Sequence, residues 1–156
     1  MVAKLHAASV HFPIGLLTGS WLMVVAAWLF PAAVLPAAVT GALGVALLSS
    51  LPAVASGLWA LVKLGSSPPP EVDKLVWWHL GLVGLSVSAF LAALFTHLGN
   101  QVIWSIALST VGTVVLLIGG HFGGKLVYQH AVGIEPGARD RSGGVDGQPT
   151  GSSATS

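Results

Sequence analysis

Histidine is the residue type in this sequence with the clearest capacity for chemistry. The chain has six histidines and no cysteine, so disulfides, cysteine-held metals and thiol nucleophiles are excluded within it. Histidine is costly in lipid and normally faces a partner or a watery pocket. Imidazole is also the usual axial ligand of haem inside helical bundles, so a group of histidines predicts a haem or metal site. All six lie near the ends of long apolar segments: His6, His11, His79, His97, His121 and His130.

Four long apolar segments must position these histidines. The chain is 54% hydrophobic and 7% charged, a balance that suits contact with lipid rather than water. The segments are close to the roughly 20 residues that a bilayer-spanning helix needs. The sequence therefore predicts an all-α fold, a four-helix transmembrane bundle in residues 1–134, followed by a disordered tail over residues 135–156. The predicted helices cover about residues 12–30, 37–63, 75–97 and 101–125.

The first segment has a second interpretation. Lys4 precedes it and small residues follow near Ala32 and Ala33, which is also the pattern of a cleaved signal peptide. The segment is long for the apolar core of a signal peptide, so a membrane-spanning helix is favoured.

The positive charges predict the orientation of the bundle. All of them fall in the N-terminal segment, in the connection between the second and third helices, or in the C-terminal segment. Because Lys and Arg stay on the cytoplasmic side during insertion, both termini are predicted to be cytoplasmic. This topology brings five of the histidines to the cytoplasmic face and leaves His97 on the other side. The positive charges that predict this orientation are Lys4, Lys63, Lys74, Lys125, Arg139 and Arg141.

His11, His79 and His121 are the best placed to bind a metal or to supply two axial ligands to a b-type haem. His6 and His130 lie closer to water and suit a surface metal, contacts to haem propionates or proton exchange. A simpler interpretation stays open, since interfacial histidines often cap helix ends or bond to loop carbonyls. His97 is 18 residues from His79, about 27 Å along a helix, so these two cannot share a metal.

Other classes of function find little support in the sequence. No acidic residue lies inside a predicted span, and no HExxH or GxSxG motif occurs, so autonomous catalysis is not predicted. The formal charge of +1 provides no basic field for nucleic acid. Only scattered Ser and Thr lie at mid-membrane, which makes a small transporter the third choice.

Glycines mark surfaces where another group can approach a helix closely. Gly15 with Gly19 forms a small-xxx-small pair, and the Gly41–Gly44 and Gly81–Gly84 pairs are looser versions; all three predict helix packing. Glycines at positions 119–124, with Gly120 and Gly124 among them, permit either a tightly packed helix end or a flat cofactor or quinone ring. Helix packing is the favoured interpretation.

Two stretches carry a resemblance to a known family. The segments VHFPIGLL (residues 10–17) and GGHFGGKLVYQHAVGI (residues 119–134) resemble the bacterial membrane family called domain of unknown function 2231. The resemblance implies a four-helix membrane domain, and some relatives are similar in architecture to membrane modules joined to Rieske-type iron–sulfur domains. It carries over these motif positions: His11, His79, Gly120, Gly124, Leu126, Val127, Tyr128 and His130. This chain departs from the pattern at His121 and Ala131.

These observations lead to one leading expectation and an alternative. The chain is expected to be a membrane subunit of a redox or respiratory-type complex in the bacterial inner membrane. A b-type haem would pass electrons between quinone and a partner protein. The alternative is a cofactor-free anchor or assembly subunit, whose small-residue seams are its functional surfaces.

Overall fold

Four long helices account for the described part of the chain. The computed structural model describes residues 6, 9–64 and 68–130, and the predicted tail lies outside these residues. All four helices are long and apolar enough to cross a membrane, which confirms the predicted all-α transmembrane bundle. In chain order they are α1 (His11–Leu29), α2 (Pro36–Leu64), α3 (Pro70–Leu98) and α4 (Val102–Tyr128).

The third helix begins five residues earlier than predicted, at Pro70 rather than Leu75. Proline at the first position of a helix costs nothing, because its missing N–H has no partner there in any case. Glu71 and Asp73 lie in the first turn, where carboxylates favour the positive end of the helix dipole. The charged residues that suggested a loop therefore form a helix start. The fourth helix likewise runs three residues past its predicted end, to Tyr128.

The helices form a ring in which each one contacts its two neighbours. α1 packs on α2 and α4, and α3 packs on α2 and α4, with the most extensive contact between α3 and α4. A tight turn links these two helices. Asn100 adopts a left-handed backbone conformation with φ of 55°, and the Gln101 amide donates to the Thr96 carbonyl at 2.8 Å. Asparagine is one of the few residues that accept this conformation readily.

Glycines on α4 allow this close contact. A Cβ added at Gly112 would lie 2.8 Å from the ring of Phe90, and one at Gly119 would lie 3.2 Å from Leu82 and 3.5 Å from Val83. Phe90 is fully buried, and so belongs to the core. Positions 83 and 90 on α3 thus face positions 119 and 112 on α4 in one antiparallel register.

Hydroxyl groups add polar contacts between helices. The Ser86 hydroxyl donates to the Gly112 carbonyl at 2.8 Å, and the Ser105 hydroxyl donates to the Ala93 carbonyl at 3.1 Å. Trp21 lies too deep in α1 to belong to an interfacial belt, and its indole N–H donates to the Thr110 hydroxyl at 3.0 Å. A buried hydroxyl or indole without a partner would be costly in lipid, so these bonds help to specify which helix faces meet.

The small-residue pairs predicted as packing surfaces do not pack against another helix within residues 6, 9–64 and 68–130. No atom lies within 4 Å of a Cβ added at Gly15, Gly19, Gly41, Gly44, Gly81 or Gly84, beyond each residue's own surroundings on its helix. The prediction is therefore wrong for contacts inside this bundle. These bare backbone stretches are available to lipid or to another protein.

The α3–α4 seam provides a test with a matched pair of substitutions. Gly112→Ala should lower the free energy of unfolding by about 1–3 kcal/mol, because the added methyl group overlaps the buried Phe90 ring. Gly81→Ala places the same methyl group on open α3 surface and should leave stability unchanged or raise it by about 0.5–1 kcal/mol. Unfolding in mixed micelles measures both. Equal stabilities for the two variants would contradict the packing of this seam.

Candidate functional site

His79 is held against the glycine-rich part of α4. Its Nδ1 lies 2.8 Å from the Gly119 carbonyl oxygen. A carbonyl only accepts, so Nδ1 is the protonated nitrogen and Nε2 keeps its lone pair. A Cβ added at Gly123 would lie 2.8 Å from Cε1 of the His79 ring. Gly123 is thus the residue that makes room for the imidazole, in the same register that pairs Val83 with Gly119.

The described hydrogen bond of His79 uses Nδ1 and leaves Nε2 without a partner among the described residues. His79 is partly buried and has its described hydrogen bond at Nδ1. Among the described residues, no buried side-chain nitrogen or oxygen lacks a hydrogen-bond partner. Nε2 of His79 has no such partner, so it is not one of the fully buried atoms.

His6 occupies a comparable position before α1. Its Nδ1 lies 3.0 Å from the Ser56 hydroxyl, which itself donates to the Ala53 carbonyl at 3.0 Å. When the Ser56 hydroxyl donates to Ala53, its single hydrogen is used, and Nδ1 of His6 is then the donor to Ser56. The His6 ring also packs on α2, with Cε1 3.0 Å from a Cβ added at Gly57.

The two imidazoles interact electrostatically. Burial, and then electrostatic repulsion by His79, lower the pKa of His6 below its ordinary value of 6.5, while the Ala53 carbonyl acts in the opposite direction. Each ring has its own hydrogen-bond partner on a neighbouring helix: Ser56 of α2 for His6, and Gly119 of α4 for His79.

The other predicted site residues lie elsewhere. His11 is exposed at the start of α1. His121 is exposed on α4 and meets the Phe122 ring edge-on, with centroids 6.0 Å apart. Along α4, His121 is two residues from both Gly119 and Gly123. It therefore lies about 200° around the helix axis from the face of α4 that contacts His79. One helix face of one chain therefore does not present both His79 and His121 to the same ligand.

The remaining three predicted positions line outer surfaces of α4. A Cβ added at Gly120 would meet nothing within 4 Å, and one at Gly124 would approach the Tyr128 ring at 4.0 Å. His130 follows α4 and lines an open groove between α3 and α4. Within residues 6, 9–64 and 68–130, no three His, Asp or Glu side chains form a group able to hold a metal ion.

The distance of His6 from the apolar span predicts a position close to water, whereas its place on the helix face predicts a partly buried one. The buried side of α1 includes Pro13, Leu17, Ser20 and Val24. His6 precedes Pro13 by seven residues, which is within about 20° of the same face. The Val10 amide donates to the His6 carbonyl at 3.0 Å, so the helical pattern reaches back to His6. Extending the buried face by two turns would have identified it.

The lowered pKa of His6 predicts a pH dependence of stability. As the pH falls below about 6.5, the unfolded chain takes up a proton at His6 before the folded chain does. Stability should be complete above that pH and should decrease toward the lower pKa of the folded state. Thermal unfolding in detergent between pH 7.5 and 5 measures the slope.

Two variants make this measurement specific. His6→Gln should flatten the slope, whereas His97→Gln, which removes a histidine bonded to the Pro36 carbonyl at the opposite end of the bundle, should preserve it. An unchanged slope in His6→Gln would contradict the assignment.

Comparison with known proteins agrees with this architecture. A family model described as "Predicted membrane protein (DUF2231)" matches residues 3–136. No curated protein and no solved structure matches the chain significantly. The matched region contains all four helices as well as His6 and His79. The chain therefore belongs to the DUF2231 family of predicted membrane proteins.

Proposed function

We propose that this chain is the membrane subunit of a redox complex and that it holds a b-type haem through His79. The observation that supports this proposal is the bond from Nδ1 of His79 to the Gly119 carbonyl. Histidines that bind metals almost always donate their other ring N–H to a carbonyl, carboxylate or water, which fixes the ring and directs Nε2 to the metal. His79 already has that arrangement.

The proposed second axial ligand is His6. In the tautomer in which Nδ1 donates to the Ser56 hydroxyl, Nε2 of His6 is likewise the nitrogen available to iron. The electrostatic effect of His79 on the pKa of His6 supports this pairing, whereas His121 lies on another side of α4. His11 and His121 remain competing candidates, and their exposure suits ligation together with a second chain.

A haem at this position would supply one-electron transfer, and the protein would supply the ligands and the surrounding environment. Gly120 and Gly124 leave backbone uncovered on the outer side of α4, next to the exposed His121. A planar quinone ring could approach the helix closely there, which supports the proposed exchange of electrons between quinone and a partner protein. The positive-inside rule further favours a cytoplasmic location for this end of the bundle.

A cofactor-free anchor is the second candidate function, and the outward-facing glycines favour it. Gly15 and Gly19 expose backbone on α1, and Gly81 and Gly84 do so on α3. Helices of partner subunits pack closely on such surfaces because van der Waals contact, rather than the hydrophobic effect, drives their association in lipid.

A reduced-minus-oxidised visible spectrum of protein purified from haem-replete cells tests the redox proposal. We expect a b-type spectrum with about one haem per chain. His79→Ala and His6→Ala should abolish it, and His97→Ala, at the opposite end, should retain it. Loss in His11→Ala or His121→Ala instead of His6→Ala would identify a different second ligand. Circular dichroism and gel-filtration profiles confirm that each variant is folded.

Colourless, iron-free wild-type protein would contradict the haem proposal. The anchor proposal then predicts that the chain purifies in an assembly larger than itself. Gly15→Leu combined with Gly19→Leu should dissociate that assembly without lowering the stability of the isolated chain, because no neighbouring helix in the described part of the chain fills the space beside these glycines.

A further inference from the structure

A groove between the start of α3 and the end of α4 has features that the redox proposal does not use. It encloses about 470 Å³ and is open to the surroundings. Two ammonium groups line it, Lys74 from α3 and Lys125 from α4, together with the single carboxylate of Glu71. We name it the basic groove.

Aromatic side chains form the apolar part of the basic groove. Trp78 from α3 stacks on Phe122 from α4, with ring centroids 6.3 Å apart and planes inclined by 17°. The Nζ atom of Lys125 lies 5.8 Å from the centre of the Phe122 ring, within the range of a cation–π interaction. This contact keeps the ammonium group of Lys125 beside the groove.

The position of the basic groove matches the boundary between lipid and water. Two helix ends meet there, and the exposed Trp77 and Trp78 mark the level that tryptophan prefers in a bilayer. A ligand at this level meets positive charge and aromatic surface together. A free inorganic anion would use only the charge, whereas a phospholipid would use the charge through its headgroup and the aromatic surface through its glycerol and upper acyl chains.

We propose that the basic groove binds the headgroup of an anionic phospholipid. Lys74 and Lys125 contact the phosphate from opposite helices, and Trp78 and Phe122 pack against the apolar part of the lipid. Basic pockets between transmembrane helices are a recurring way to bind such headgroups. The lipid thereby links α3 to α4 at the same end of the bundle as His79.

Thermal unfolding of the full-length protein in detergent tests this proposal. We compare the shift in unfolding midpoint on adding phosphatidylglycerol, phosphatidylcholine or inorganic phosphate. Phosphatidylglycerol should stabilise the protein at concentrations at least tenfold lower than phosphatidylcholine, and inorganic phosphate at the same concentration should give no shift. An equal shift with phosphate would show a free-anion site and overturn the proposal.

Two sets of variants locate the site. Lys74→Gln combined with Lys125→Gln should weaken the phosphatidylglycerol effect about tenfold. Lys125→Arg, which keeps the charge, should retain it. Arg139→Gln combined with Arg141→Gln removes the same number of charges from a segment outside the described residues and serves as the control. An undiminished effect in the lysine variant, or an equal loss in the arginine control, would overturn the proposal. Each variant is compared with its own midpoint in lipid-free detergent.

Discussion

The close antiparallel contact between α3 and α4 is the constraint on which the rest of the structure depends. Positions 79, 83 and 90 on α3 face positions 123, 119 and 112 on α4, and at each level a glycine on α4 accommodates a larger side chain. In lipid, where apolar side chains gain little by leaving the solvent, this kind of shape matching provides much of the association energy. The same register that buries Phe90 also determines the surroundings of His79.

Packing and chemistry therefore share one surface. At the middle of the bundle, the Phe90 ring occupies the space that a side chain at Gly112 would take. The Gly112 carbonyl accepts a hydrogen bond from the Ser86 hydroxyl. Near the end, the imidazole of His79 covers Gly123, and the carbonyl of Gly119 accepts a hydrogen bond from that ring. A histidine held by backbone in this way has one tautomer and one orientation, which is the preparation that a ligand for iron requires.

The fold was more predictable from sequence than the candidate site. Hydropathy and length were sufficient for four spans, because lipid penalises any unpaired backbone and leaves helices as the solution. The sequence predicts the start of α3 too late, because the charges of Glu71 and Asp73 are typical of a loop but also stabilise the first turn of a helix. Spacing identified Gly15 and Gly19 as a packing motif but contains no information on whether the partner belongs to the same chain. The sequence predicts helix packing for the stretch that holds Gly119 and Gly123, whereas Gly112 can be recognised as a seam glycine only from the ring opposite it. The residue type and the predicted position at the end of the bundle are enough to single out His79. The partly buried position of His6 becomes evident only when the buried face of α1 is followed toward the N-terminus, beyond the apolar span.

The turn at Asn100 has a consequence for how this chain tolerates insertions and deletions. The turn between α3 and α4 spans only residues 99–101, so it acts as the length standard for the seam. If α4 took up a residue added or removed there, its register against α3 would shift by about 1.5 Å along the helix axis and about 100° around it. Every glycine would then move away from the side chain that it accommodates, and the carbonyl that fixes His79 would turn elsewhere. A change in length at this exposed connection would thus alter contacts at the far end of the bundle, although insertions into surface loops are usually harmless.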